Sequence, residues 1–207
     1  MPVEGFYDRV FEPKREREKR YGEVYNVAGY DAFGFAHTTT VGGDAFHDHV
    51  TTRDDADLAN GSTPPGDRED DGASIQQQIA RGWFELTGAL RFDAYHLAGT
   101  DEVTRRDIDK TGAALTPKVT AAVTPLEGLT VYASYAEAYR PPSITETLIQ
   151  GTHPPPVTFR YIPNPDLDPE LAHNIEVGAN IAFDDLAFSG DRLRLKASAF
   201  HNRVSDY

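Results

Sequence analysis

Between Ile175 and Phe183 the chain alternates. Ile175, Val177, Ala179, Ile181 and Phe183 fall on one side, and Glu176, Gly178, Asn180 and Ala182 on the other. A period of two marks a β-strand with one apolar and one polar face. The pattern recurs at Phe84, Leu86, Gly88, Leu90, Phe92 and Ala94, opposed by Glu85, Thr87, Ala89, Arg91 and Asp93. It returns at Leu129, Val131, Ala133 and Tyr135 against Thr130, Tyr132 and Ser134, and at Leu193, Leu195, Ala197 and Ala199 against Arg194, Lys196 and Ser198. Weaker alternation covers 22–33, 37–47, 73–80 and 113–123. About eight strands of roughly 9–13 residues are predicted, long enough to cross a bilayer at the usual tilt. No long stretch carries the helical period of 3.6, so the fold expected is all-β and antiparallel.

A soluble sandwich and a membrane barrel both alternate in this way, and connection lengths separate them. Short connections are expected near Gly34–Phe35, Ala80–Gly82, Pro125–Gly128 and Asp184–Asp191. Long ones are expected at about 49–72, 97–112 and 139–173. Short turns at one end and long polar loops at the other are the organisation of an outer-membrane barrel. Its apolar faces meet lipid and its polar faces line the interior. Phe84, Tyr95, Tyr132 and Phe183, near strand ends, are candidates for interfacial aromatic girdles.

Composition then removes other classes. The 207 residues carry a formal net charge of −13 and no cysteine, which excludes disulfide scaffolds and thiolate metal sites. The acidity speaks against nucleic acid as a partner, because phosphates are held by Lys and Arg. The basic run KREREKR at 14–20 reads as a solvated segment leading into a strand. No apolar run approaches a spanning helix, and MPVEGFYDRV lacks the features of a signal peptide.

Candidate chemistry lies in the loops. Asp54, Asp55, Asp57, Asp70 and Asp71 are acidic enough for calcium, but their order does not match an EF-hand, so solvated charge is the reading. His47 and His49 share a strand face without an evident third metal ligand. The segment YRPPSITETLIQGTHPPPVTFRYIPNPDL, 139–167, differs from the rest in being rich in proline and poor in charge. Ser143-x-x-Glu146 has capping-box spacing and predicts a short helix over 144–150, ended by Gly151. Asp168-Pro169 has the form of a second helix start. Pro154, Pro155, Pro156 and Pro163 stiffen the backbone between them, so His153 is presented from a restrained segment.

AYRPPSITETL followed by NPDLDPELAHNIEVGANI resembles the paired boxes of TonB-dependent outer-membrane receptors. An FRAP-type box ends one strand at Tyr139, Arg140, Pro141 and Pro142, and an NPNL-type box begins the next at Asn164, Pro165, Asp166 and Leu167. A histidine between the boxes and the ITETL phrase are similar to the haem and haemoglobin receptor branch. The resemblance implies His153 as an axial haem ligand, with Tyr161 as a second possible ligand and Phe159 as pocket wall. Arg140 is expected to hold the loop through hydrogen bonds, and Asn164 and Asp166 to form turns.

The resemblance further implies a protein of the Gram-negative outer membrane that carries haem as cargo and performs no catalysis. Its expected partners are membrane lipid, haem or a haem-carrying protein, and the TonB complex acting through a plug. A ferric-siderophore receptor, a non-transport surface barrel and an inactive remnant are the alternatives. No segment resembles the plug or the aromatic closing strand, and eight strands are far fewer than the 22 of plugged transporters. Residues 1–207 are therefore expected to be a part of such a barrel.

Overall fold

The computed structural model describes residues 14–53, 64–101, 103–152, 156 and 159–206. Eight strands form one sheet: β1 (Lys14–Ala32), β2 (Phe35–Arg53), β3 (Gly66–Arg81), β4 (Phe84–Asp101), β5 (Arg106–Leu126), β6 (Leu129–Arg140), β9 (Glu170–Asp184) and β10 (Arg192–Ser205). Between β6 and β9 lie helix α1 (Ile144–Leu148) and a minimal ribbon of β7 (Gly151–Thr152) and β8 (Arg160–Tyr161). The order β1-β2-β3-β4-β5-β6-β9-β10 is an antiparallel meander, and its two ends do not pair with one another.

Cross-strand register lines the apolar positions into continuous rows. Val41 faces Ile75, Ile75 faces Leu90 and Leu90 faces Pro117. Farther along, Val123 faces Val131, Val131 faces Ala179 and Ala179 faces Ala197. These side chains are not inside anything. Phe92 is 48% exposed, Leu115 57%, Val177 53% and Leu195 54%. A sandwich would cover that face with a second sheet; among the described residues none lies over it, and a large open apolar face of this kind suits contact with lipid. On β4 the apolar row runs from Phe84 to Ala94. At about 3.3 Å per residue and the usual tilt, it rises roughly 25–30 Å, the height of a barrel's lipid-facing band.

The opposite face is polar and paired within itself. Arg91 donates from Nη1 and Nη2 to Asp44 at 2.8 and 3.0 Å, and from Nε to Asp93 at 2.8 Å. Gly72 makes room for this fork, since a Cβ there would lie 2.1 Å from Arg91 Nη2. Tyr132 belongs to this face and donates to Glu176 at 2.6 Å. Tyr95 also points this way and is buried. Neither tyrosine is therefore part of a lipid-side girdle, because both stand an odd number of positions from their strand's apolar row. Phe33, Trp83 and Phe188, exposed at the tight-turn end, occupy that level instead.

Tight turns gather at one end. At Phe33–Gly34 both residues have positive φ, 55° and 77°, the backbone of a type I′ hairpin. The other end departs from expectation. β4 runs on to Asp101 and β5 begins at Arg106, so the long connection expected over 97–112 is a four-residue turn. Asp101 closes it by accepting from the amides of Val103 and Thr104 at 2.9 and 3.2 Å. The loop expected over 49–72 gives up both its ends to strand, with β2 running to Arg53 and β3 beginning at Gly66, so that Asp70 and Asp71 lie inside β3. Asp54, Asp55 and Asp57 lie outside the described residues. The KREREKR run is strand as well. Apart from β6, the main-sheet strands run 14 to 21 residues and exceed the expected length, because ladder hydrogen bonds continue past the point where the outward face turns polar. There, alternation in hydrophobicity has nothing to record.

Candidate functional site

The inter-box segment folds back onto the polar face. Ser143 caps α1 by accepting from the Glu146 amide at 3.2 Å, while the Ser143 amide donates to Glu146 Oε2 at 2.9 Å. The capping box is complete, although the helix stops at Leu148 rather than reaching 150. Asp168-Pro169 starts no helix. The residues lead straight into β9, since a proline φ also suits strand entry and Glu170 pairs with Arg140 in the ladder.

Helix α1 seats Ile144 and Leu148 against Val50, Tyr95, Leu97 and Ile108, the buried apolar cluster, with Tyr139 packed beside it. Glycine creates the seat: a Cβ on Gly99 would lie 2.4 Å from Leu148 Cδ1. Thr147 is fully buried, and its hydroxyl donates to the Ser143 carbonyl at 2.9 Å.

Arg140 ties the two boxes together. Its Nη1 donates to both Glu146 oxygens at 3.0 Å, its Nε donates to Glu170 Oε2 at 2.8 Å, and its Nη2 meets Glu170 Oε1. Burial acts to raise the Glu146 pKa, but the Ser143 hydrogen bonds and the Arg140 guanidinium outweigh it. The carboxyl therefore titrates below its ordinary value. Pro141 is half-buried and Pro142 is buried beside the cap.

The second box is stitched to the helix and to β5. The Asn164 amide donates to the Thr147 carbonyl at 3.0 Å, and the Leu167 amide to the Asn164 carbonyl at 3.3 Å across Pro165 and Asp166. Lys110 Nζ reaches the Leu167 carbonyl at 2.6 Å, and Asp166 stands 4.0 Å from Arg106. The far part of the segment is a two-pair ribbon in which Gly151 faces Tyr161 and Thr152 faces Arg160. Phe159 and Tyr161 stack edge to face at 4.9 Å, with Phe159 and Ile162 exposed. His153 lies outside the described residues, in the stretch this ribbon brackets.

His47 and His49 sit on the apolar-row side of β2, where Asp67 meets them at 3.6 and 2.6 Å. Among the described residues no group of three or more His, Cys, Asp or Glu is arranged to hold a metal ion. Sequence reasoning missed Glu170, the second acceptor of the Arg140 clamp. Its pairing with a residue thirty positions away leaves no local signal.

A family model described as TonB dependent receptor-like, beta-barrel matches residues 5–207. The chain is 28% identical over 184 residues to the hemin receptor of Yersinia enterocolitica, covering 79% of this chain and 26% of that protein. It is 40% identical over 81 residues to heme/hemopexin utilization protein C of Haemophilus influenzae, covering 36% and 11%. Among solved structures, a double mutant of the Serratia marcescens hemophore receptor HasR, in complex with its hemophore HasA and heme, matches with a TM-score of 0.84. The identity is 28%, over 94% of this chain and 34% of that one. The ferric-catecholate import receptor Fiu of E. coli K12 shares the fold at a TM-score of 0.64 and 17% identity, over 93% and 32%. The chain thus spans between 11% and 34% of the length of these proteins.

Proposed function

The chain belongs to the TonB-dependent receptor β-barrel family, and on that footing we propose that it is one sector of an outer-membrane receptor that takes up haem. The observation that carries the reading is the match of 79% of the chain to a hemin receptor. The HasR likeness, in a complex holding hemophore and heme, points the same way. The exposed apolar rows become the lipid-facing band, and the paired polar face becomes the inner wall. The inter-box segment then sits at the mouth on the side away from the tight turns, clamped by Arg140 and seated through α1.

In this reading haem is cargo, and its capture involves no covalent chemistry. His153 supplies an imidazole to the iron, while Phe159 and Tyr161 offer aromatic faces to the porphyrin from the ribbon beside it. Tyr161 is the alternative oxygen ligand. Energy for release comes from the inner membrane through TonB, acting on a plug enclosed by the complete barrel. A haem-carrying protein is the proposed source of the cargo.

The test is a haem titration of the complete receptor followed in the Soret band. His153→Ala is expected to abolish the ligand-dependent Soret shift while the barrel still inserts into membranes. A spectrum unchanged by His153→Ala removes His153 as ligand, and Tyr161→Phe then discriminates the phenolate. A receptor that binds no haem and instead restores uptake of a ferric siderophore refutes the haem reading altogether.

A further inference from the structure

Pro117 ends the pairing of β5 with β6. The Thr124 amide donates to the Trp83 carbonyl at 2.7 Å, and Val123 faces Phe84 one step along. In an antiparallel ladder, residues bonded to one neighbour alternate with residues bonded to the other. The even-numbered residues of β5 therefore bond to β4, and the odd-numbered ones turn their amides and carbonyls towards β6. Pro117 stands among the odd ones, where it has no N–H to give. The ladder to β6 rises as far as Lys118 and stops, while the ladder to β4 continues to Arg106.

Above that point β5 has an open edge. Continued upward, its register would set Ala114 against Arg140, the last residue of β6. Asp107, Asp109 and Thr111 rise clear of that end, and all three are exposed. Just below them Tyr139 reaches across the gap, its hydroxyl 3.0 Å from where a Cβ on Gly112 would lie. Among the described residues no backbone group bonds to the free side of Asp107, Asp109 or Thr111. β4 lies on one side of this edge and β6 and β9 on the other. The edge is thus internal to the sheet and owes nothing to the ends of the chain.

An open edge bonds the backbone of an incoming strand, and side chains then select the partner. Here the selection is by charge. Directly opposed side chains share a face, so an added strand sets its outward residues against Asp107 and Asp109. Asp109 meets His96 at 3.1 Å, and Asp107 accepts from the Thr100 hydroxyl at 3.0 Å. Two carboxylates two positions apart call for Lys or Arg opposite. The chain's own loops fit poorly: Asp54, Asp55 and Asp57 repeat the sign, and Pro154, Pro155 and Pro156 carry no amide hydrogen. We propose that the edge of β5 from Asp107 to Thr111 takes an extended, basic segment of the haem-carrying protein as an added strand. The inference rests on the haem-receptor reading above and names how the carrier is held. The same strand touches the inter-box segment from its inner face, through Lys110 on the Leu167 carbonyl and Ile108 in the cluster under α1. An added strand stands about 4.8 Å from β5, which sets the carrier beside the proposed haem segment.

The experiment uses the complete receptor in micelles, with haem-loaded haemoglobin, haemopexin and the hemophore HasA as carriers and free haemin as control. Exchange of the Asp107, Asp109 and Thr111 amides is expected to be fast in the free receptor. At least one carrier should slow it by about tenfold or more, and haemin should not. Thr111→Pro removes a donor on the free side and leaves the bonds to β4 in place. It is expected to weaken binding of that carrier by about tenfold or more while haemin binding stays unchanged. The pair Asp107→Lys with Asp109→Lys should do the same through charge. A Thr111→Pro protein that no longer binds haemin is damaged in its fold, and the lysine pair then decides. Amides already protected in the free receptor overturn the proposal. Carrier binding unchanged in either variant overturns it as well. A receptor that binds haemin and none of the carriers overturns the strand addition and leaves the haem reading standing. One that binds neither overturns both.

Discussion

Replacing Leu148 with alanine empties the seat that holds α1 on the sheet. Leu148 is 1% exposed, so the change removes three fully buried carbon groups. At about 0.8 kcal/mol per group the transfer loss is roughly 2.4 kcal/mol, before any cost for the cavity. The loss falls on local opening of the segment, because α1 rests mainly on β3 and β4 and holds no other part of the sheet together. An opening easier by roughly 2.4 kcal/mol accelerates exchange by about 60-fold. The amides to follow are Thr147, Ile149 and Asn164, which donate to Ser143, Thr145 and Thr147 carbonyls.

Gly99 sharpens the test. Gly99→Ala alone forces a Cβ to within 2.4 Å of Leu148 Cδ1 and is expected to speed the same exchange. In the Leu148→Ala background that methyl enters the vacated space, so the double variant should be protected better than the sum of the singles implies. Hydrogen exchange by mass spectrometry on the receptor in micelles reads all four proteins. Strictly additive effects, or Thr147 and Asn164 amides indifferent to Leu148→Ala, refute the seat.

Arg140→Ala should free both boxes and raise protease sensitivity between Ser143 and Glu170. Arg140→Lys should rescue little, because one ammonium cannot span Glu146 and Glu170 as the fork does. Acid should act on the same clamp. Because the folded Glu146 pKa lies below its unfolded value of about 4.5, its stabilisation is complete above that value. It is lost as pH falls through the folded pKa. Loop exchange should be flat from pH 7 to 5 and steepen below about 4, and Glu146→Gln should remove the steepening. Arg91→Leu leaves Asp44 and Asp93 facing each other without a cation on the polar face. It should lower the thermal unfolding temperature, and Asp44→Asn in the same chain should recover part of the loss.

Much of the sheet was legible because one face meets an apolar medium. Phe84 to Ala94 and Ile175 to Phe183 alternate in a way that admits a strand and little else. The stretches from Leu97 to Asp101 and from Arg106 to Gly112 read as loop because the outward apolar row has ended there, and Leu97 and Ile108, which face α1 on the other side, are too few to show a period. Backbone pairing alone keeps them extended, and it depends on no side-chain pattern. In the site, the Ser143–Glu146 box was legible because capping is a local spacing rule. Asp168-Pro169 misled for a related reason, since a proline after an aspartate suits a strand entrance as well as a helix. The seat of α1 had no signature at all. It depends on the absence of a side chain at Gly99, forty-nine positions before Leu148.

The ladder that outlasts the apolar row has a mechanical consequence. β5 holds seven residues, Arg106 to Gly112, ahead of the row that opens at Ala113, a stiff rise of roughly 20 Å along the strand. That rise is a parapet that lifts the connecting segments away from the apolar row. On the reading proposed above, a haem-carrying protein would rest on the tops of β4 and β5. Shortening the parapet by one matched residue pair in each of those strands would lower that perch by roughly 7 Å along the strand.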